Sequence, residues 1–101
     1  MCNFVSEKMQ QLEFEVHGKV QGVFFRKYTK KEADRLHLTG WVMNTSHKTV
    51  IGVAEGQNAA VNELQSWLAK KGSPKSRIDK LDVKSTKTID RSEFNEFTIR
   101  R

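Results

Sequence analysis

Short runs of alternating apolar and polar residues recur along the chain, and each of them predicts a half-buried β-strand. In the first run, residues 12–17, three apolar side chains alternate with two glutamates and a histidine. Four later strands are predicted over residues 41–44, 49–54 and 78–86 and around Phe97 and Ile99. The polar residues 45–48 connect the second strand to the third, which predicts a hairpin.

Two other segments repeat their apolar residues at helical spacing. Residues 23–36 place most of their aromatic and aliphatic side chains on one face and most of their lysines on the other, which predicts an amphipathic helix ended by His37. A second helix is predicted to begin at Asn58, its N-cap, and to end at Gly72 and Pro74. Its buried stripe consists of Val61, Leu64 and Leu68.

The order of these elements, β-α-β-β-α-β followed by one short strand, predicts an α+β fold. The expected architecture is the ferredoxin-like split βαβ sandwich, a mostly antiparallel sheet with two helices on one face and a short extra C-terminal strand. Right-handed crossovers place the first strand beside the third, and the hairpin places the second strand on the other side of the third. The first two strands therefore run in the same direction, and their C-terminal ends share one edge of the sheet.

Composition and charge narrow the class of protein. The 101 residues, 37% hydrophobic and 30% charged, are typical of one globular domain, expected over residues 11–101 after a short extension, residues 1–10. No apolar run approaches the roughly 18 residues that cross a bilayer, and the N-terminus lacks a secretion-signal layout. The lone cysteine, Cys2, is expected to be an exposed, inert thiol. We therefore expect a cytoplasmic protein without a membrane partner, and the net charge of +6 favours anionic partners.

The segment Gly18–Arg26 joins the first strand to the first helix and is the most informative part of the chain. Its two glycines let the backbone turn several N–H groups to one side, and the helix N-terminus adds its positive dipole end. Arg26 supplies a planar fork of donors that fits phosphate. The segment predicts an anion-binding loop, and a plain strand-to-helix turn with a solvated arginine is the alternative. Its glycine spacing matches neither of the common nucleotide-binding motifs.

Asn44 ends the second strand, so the predicted topology brings it to the same sheet edge as the glycine loop. The two strand ends should be roughly 10 Å apart, because neighbouring strands are about 4.8 Å apart. That gap has room for a phosphoryl group, a water and an arginine side chain. Two polar elements that are far apart in the sequence therefore share one candidate site.

Both segments resemble signatures of the acylphosphatase family. Residues 18–26, GKVQGVFFR, resemble the first signature, and residues 40–44, GWVMN, resemble the second. The other similar positions are Thr49, Val50, residues 72–74 and residues 78–79. The likeness covers about residues 10–101, nearly the whole chain.

The resemblance implies a small hydrolase that cleaves the carboxyl–phosphate bond of acyl phosphates to a carboxylate and inorganic phosphate, without a metal or cofactor. It implies that Arg26 binds the phosphoryl group of this small-molecule substrate and that Asn44 positions the water for in-line attack. The implied substrate-binding backbone is that of Gly18, Lys19, Val20, Gln21, Gly22 and Val23. Inorganic phosphate is then a product and a competitive inhibitor. Nothing in the sequence indicates more than a monomer.

The chain departs from the family pattern at Lys48, where acylphosphatases usually have glycine. If the hairpin requires a left-handed residue there, lysine costs about 1–2 kcal/mol. Alternatively, the turn places Asn44 or another residue in that conformation. The departure concerns the shape of the hairpin and removes no side chain assigned to catalysis.

Other functions have less support. The three histidines, His17, His37 and His47, fall on different elements, so no metal site is expected. An RNA-recognition domain has the same topology, but residues 49–54 lack the aromatic side chains that stack on bases, so no nucleic-acid partner is expected. A related protein that binds a carboxyl or carbamoyl phosphate without turning it over is a further alternative. Phe24 is expected either to border the site or to pack in the core.

Overall fold

The computed structural model describes residues 9–101, which form five strands and two helices. The strands are β1 (Met9–Lys19), β2 (Thr39–Asn44), β3 (Val50–Gln57), β4 (Arg77–Ile89) and β5 (Phe97–Arg100). The helices are α1 (Phe25–Arg35) and α2 (Asn58–Lys70). Of the expected N-terminal extension, Met9 and Gln10 belong to β1, whereas residues 1–8, with Cys2, lie outside the described residues.

The five strands form one sheet in the order β4-β1-β3-β2-β5. β1 pairs antiparallel with β3 and β4, β2 pairs antiparallel with β3, and only the short β5 pairs in parallel, with β2. This arrangement confirms the ferredoxin-like α+β prediction. Because β1 and β2 both run opposite to β3, their C-terminal ends lie at the same edge of the sheet, as the topology required.

The core lies between the sheet and the two helices. Alternate residues of β1 point into it, so Leu12, Phe14 and Val16 are at most 1% exposed. The helices cover them with two buried stripes. These consist of Phe25, Thr29 and Ala33 from α1 and Val61, Leu64 and Leu68 from α2. Each large apolar side chain buried in this way contributes about 1.5–3 kcal/mol to folding.

Several boundaries differ from those predicted by the sequence pattern. α1 begins at Phe25 and not at residue 23, because Phe24 adopts a left-handed backbone, φ 59°, which a right-handed helix cannot include. His37 lies beyond the last helical residue, also with a positive φ. The N-cap of α2 is Gln57, and Asn58 is its first helical residue. None of the helices within residues 9–101 is long and apolar enough to cross a membrane.

Candidate active site

The loop between β1 and α1 presents backbone N–H groups without protein partners. Gly22 and Phe24 both have left-handed φ values, 75° and 59°, which alternate with other backbone conformations. Such alternation turns successive N–H groups to one side and forms an anion-binding concavity. Among the backbone hydrogen bonds of the described loops, none has an N–H of residues 21–24 as its donor. The first helical bond runs from the N–H of Tyr28 to the carbonyl of Phe24, so the earlier amides of α1 are open as well.

A cleft of about 440 Å³ lies beside this loop and joins it to the end of β2 and to the C-terminal strand. The cleft therefore brings together Arg26 and Asn44, the two side chains that the sequence analysis assigned to catalysis. Two further cationic residues and four apolar residues line the cleft, and no aspartate or glutamate of residues 9–101 does. The lining residues are Val20, Gly22, Phe24, Phe25, Arg26, Lys27, Asn44, Ile99 and Arg101.

Arg26 lies in the first turn of α1 and is half-buried. One guanidinium nitrogen, Nη1, donates a hydrogen bond to the carbonyl of Arg100 at 3.3 Å, which ties the guanidinium to the end of β5. Arg100 is itself held, because its guanidinium lies 4.5 Å from the ring centroid of Trp41. Within the described chain Arg26 has no carboxylate partner, so its remaining donors are available to an anion.

Asn44 is the last residue of β2, and its backbone pairs with Val50 of β3. Its side-chain oxygen, Oδ1, is buried and lacks a hydrogen-bond partner within the described part of the protein. Because buried polar atoms are nearly always paired, such an atom in a cleft calls for a water or a ligand. Asn44 also lines the cleft, so this unpaired acceptor lies at the cleft wall.

The side chain of Gln21 fastens the glycine loop to the hairpin that follows Asn44. Its amide nitrogen, Nε2, donates to the backbone carbonyls of Thr45 and Thr49, at 2.9 Å each. Both N–H donors of the side-chain amide are thus used within the protein, so the remaining donor of Gln21 is its backbone N–H. This clamp fixes the loop that precedes Arg26 relative to the turn that follows Asn44.

The hairpin is held by hydroxyl groups that the sequence analysis did not single out. Thr49 Oγ1 donates to Glu15 Oε2 at 2.6 Å, so the 2.7 Å contact between the two threonine hydroxyls has Thr45 as its donor. Thr45 Oγ1 also accepts the N–H groups of His47 and Thr49. The hydrogen bond from Thr49 and the neighbouring Lys84 lower the pKa of Glu15. Glu15 is therefore an ionised acceptor at neutral pH, and it anchors the turn.

Lys48 completes this turn with a φ of 68°. The left-handed residue of the hairpin is therefore Lys48, where the sequence departs from the signature that it resembles, and not Asn44. A lysine in this conformation is strained by about 1–2 kcal/mol. The threonine hydrogen bonds and the Gln21 clamp hold the turn in spite of that cost.

The residues expected to form the phosphate cradle divide into two groups. Gly18 and Lys19 end β1 and pair with Ile78 and Arg77 of β4. Gly18 has a φ of 132°, and a Cβ there would lie 2.1 Å from the carbonyl oxygen of Arg77, so only glycine fits. The other four, Val20, Gln21, Gly22 and Val23, belong to the loop itself. The two valine side chains point into the core, which leaves their backbone groups to face a ligand.

One cluster of possible metal ligands lies away from the cleft, on β1 and β4. Ligand atoms of Glu15, His17 and Asp82 lie within 4.8 Å of one another, a juxtaposition that the sequence analysis missed because Asp82 is distant in the chain. The ammonium of Lys84 lies 3.3 Å from Glu15 Oε1 and 2.9 Å from Asp82 Oδ2. The lysine thus already balances the negative charge of this cluster.

Comparisons with known proteins identify the family of the chain. The chain matches the family model for acylphosphatase over residues 12–99. It is 54% identical to acylphosphatase-1 of Gallus gallus over 96 residues, which cover 95% of this chain and 97% of the relative. It is 45% identical to acylphosphatase-2 of Homo sapiens over 95 residues, 94% of this chain and 96% of the relative. The solved structure of an acylphosphatase from Coxiella burnetii has a TM-score of 0.80 at 35% identity and covers 92% of this chain and 94% of its own. The resemblance of the signature segments is thereby confirmed, and the chain belongs to the acylphosphatase family of hydrolases.

Proposed function

We propose that the cleft hydrolyses acyl phosphates by in-line attack of a water that Asn44 positions on a phosphoryl group held by Arg26 and the loop amides. One observation carries the proposal: an unpaired acceptor, an arginine without a carboxylate partner and a set of open backbone N–H groups meet in one cleft. A bound phosphoryl group would accept hydrogen bonds from the amides and from Arg26, and the attacking water would donate one to Asn44.

Binding of the phosphoryl group is the first step. The N–H groups of residues 21–24 and the dipole of α1 face the phosphoryl oxygens, and the fork of Arg26 donates to the same group. Gly18 and Lys19 contribute by ending β1 at the position from which the loop starts. Preorganised donors of this kind stabilise charge that spreads over the equatorial oxygens in the transition state.

Attack by water is the second step. Oδ1 of Asn44 accepts one proton of the water in a hydrogen bond and so fixes the direction of its lone pair. The leaving group is a carboxylate, whose conjugate acid has a pKa of about 4, so its departure needs little help from a general acid. The proton of the water passes to a phosphoryl oxygen. This scheme accounts for a site in which no acidic side chain and no histidine of the described residues lines the cleft.

The substrate in this proposal is a small acyl phosphate, and inorganic phosphate competes with it for the loop amides and Arg26. We also propose that the protein works as a monomer in the cytoplasm, since the lone cysteine suits a reducing compartment. Sedimentation at micromolar concentration tests the monomer, which requires a single species near 11.7 kDa.

The direct test is the hydrolysis of benzoyl phosphate and acetyl phosphate by the purified protein in the presence of EDTA. We expect turnover of both, with competitive inhibition by inorganic phosphate. A rate no higher than spontaneous hydrolysis contradicts the proposal. A single-turnover experiment with excess protein separates hydrolysis from the alternative of binding without turnover, because a pure binder releases no phosphate.

A further inference from the structure

Phe24 is the most exposed large apolar side chain of residues 9–101. Its exposed fraction is 71%, and the one other large apolar residue that is largely exposed, Val83, reaches 38%. The sequence analysis left open whether Phe24 packs in the core or borders the site, and the structure places its ring on the wall of the cleft. An aromatic ring that is this exposed is available to a ligand.

The backbone conformation of Phe24 also supports a role in ligand binding. Its φ of 59° lies in the left-handed region, where glycine and asparagine are common and bulky residues are rare. Strained backbone of this kind is concentrated at binding and catalytic sites. Phe24 is therefore a bulky residue in a backbone conformation that disfavours it, and its side chain is not part of the core.

The neighbours of the ring define the character of this part of the cleft. Ile99, which is partly buried, adds apolar surface to the same wall. The ammonium of Lys27 lies 5.9 Å from the centroid of the Phe24 ring, so it holds the ring from one side by a cation–π contact. The phosphoryl-binding groups and this apolar wall are thus adjacent parts of one cleft.

We propose that Phe24 forms the subsite for the acyl group and favours acyl phosphates with a flat, apolar acyl group, such as an aroyl group. This inference rests on the proposed function. In an in-line displacement the leaving carboxylate lies on the far side of phosphorus from the attacking water. Because Asn44 holds that water at the end of β2, the acyl group points away from β2, towards the wall formed by the loop and α1. Phe24 is the exposed aromatic surface of that wall, and aromatic pairs are attractive beyond the area that they bury.

The test compares two substrates in two variants. Phe24→Asn removes the ring but suits the left-handed backbone, and Phe24→Tyr keeps the ring. For Phe24→Asn we expect the ratio of kcat/KM for benzoyl phosphate to that for acetyl phosphate to fall about threefold to tenfold, mainly through KM. Phe24→Tyr should restore the wild-type ratio. Val83→Ala, which shortens an exposed apolar side chain of β4, is the matched control. It should leave kcat/KM for benzoyl phosphate and for acetyl phosphate unchanged.

An unchanged ratio in Phe24→Asn overturns the inference. If both kcat/KM values then fall equally, the ring instead positions Arg26. If the wild-type protein hydrolyses neither substrate, the proposed function fails. The binding affinity of substrate analogues then tests whether Phe24 forms the acyl subsite. The dissociation constants of benzylphosphonate and methylphosphonate, measured by calorimetry, must then show the same threefold to tenfold change in ratio. Equal effects on the two phosphonates contradict the acyl subsite independently of turnover.

Discussion

The buried polar groups at the two ends of β3 differ in whether they have hydrogen-bond partners within the described residues. At the end near Val50, the side-chain oxygen of Asn44 is buried without a partner, and the amides of the neighbouring loop are open. At the other end, the carboxyl group of Glu55 is fully buried and has two donors within the protein. Gln11 Nε2 lies 2.5 Å from Oε2, and the backbone N–H of Glu93 lies 2.8 Å from Oε1.

The difference indicates what each end does. Glu55 is paired because it holds the segment between β4 and β5 against the sheet, so its hydrogen bonds belong to the fold. Asn44 Oδ1 and the loop amides have no partner within residues 9–101, and in the proposed function their partners arrive with the ligand. Substitutions at the first end should therefore change activity far more than stability, and substitutions at the second end should do the reverse.

The largest expected effect is that of Arg26→Ala on turnover. We expect kcat/KM for benzoyl phosphate to fall about 1,000-fold, since the fork stabilises charge in the transition state, and inhibition by phosphate to be lost. The free energy of unfolding should change by less than about 0.5 kcal/mol, because the side chain is half-buried and makes one long hydrogen bond. Steady-state kinetics and urea unfolding measure the two effects, and a variant that is both inactive and strongly destabilised would break the contrast between the two ends.

Glu55→Ala should have the opposite signature. It leaves the Gln11 amide and the Glu93 N–H without their acceptor and opens a cavity, which should cost about 3 kcal/mol of stability in urea unfolding. Glu55→Gln keeps an acceptor and most of the volume, so it should cost only about 1 kcal/mol. The folded fraction of either variant should keep its kcat/KM, and a selective loss of kcat would place Glu55 in the catalytic machinery.

Asn44→Ala should lower kcat about 100-fold, which corresponds to about 2.7 kcal/mol in the barrier, because the water loses its acceptor. The dissociation constant of inorganic phosphate should stay within about twofold of the wild-type value, since Arg26 and the loop are intact. Calorimetric titration of phosphate provides this comparison. Normal turnover in the variant would show that Asn44 does not position the water.

Gln21→Ala tests the clamp between the loop and the hairpin. Here we expect both stability and activity to fall. Loss of the two hydrogen bonds to Thr45 and Thr49 should cost about 1–2 kcal/mol of stability and about tenfold in kcat/KM. Gln21→Glu is the matched control, because its carboxylate has nearly the same shape but cannot donate to the two carbonyls. If Gln21→Glu behaves as the wild type in both measurements, the donated hydrogen bonds are not what aligns the site.

Lys48→Gly should give the smallest effect and the opposite sign. Glycine adopts a φ of 68° without strain, so stability should rise by about 1 kcal/mol, partly offset by the greater entropy of the unfolded chain. Lys48→Ala retains a Cβ in the left-handed region and should give no such gain. Urea unfolding of the two variants side by side isolates the backbone strain from the loss of the lysine charge.

Much of the fold was predictable because it depends on local patterns. The alternation in residues 12–17 located β1, and the order of elements fixed its pairing with β3 and the position of Asn44 beside the loop. β4 extends to Ile89, beyond the predicted residue 86, because its polar C-terminal half is held by backbone pairing with β1 and shows little apolar pattern. The sequence left open which residue of the hairpin is left-handed, Lys48, Asn44 or another, and the structure shows that it is Lys48.

The parts of the site that could not be predicted are those that depend on contacts between distant residues. Nothing in the local sequence shows that Gln21 reaches two carbonyls across the site or that Thr49 donates to Glu15, which is 34 residues away. The exposure of Phe24 was also open, because a phenylalanine in an apolar run predicts burial. Only the left-handed turn before α1 directs its ring outwards.

The central claim is that the open amides beside Asn44 bind the phosphoryl group. Titration of inorganic phosphate into ¹⁵N-labelled protein, followed by amide NMR spectra in the presence of EDTA, tests it most directly. We expect the largest chemical-shift changes at the backbone amides of residues 21–26 and at the side-chain amide of Asn44. No change is expected near Glu55 and Glu93. Saturable shifts centred on another surface, or no change at residues 21–24 while phosphate inhibits turnover, would contradict it.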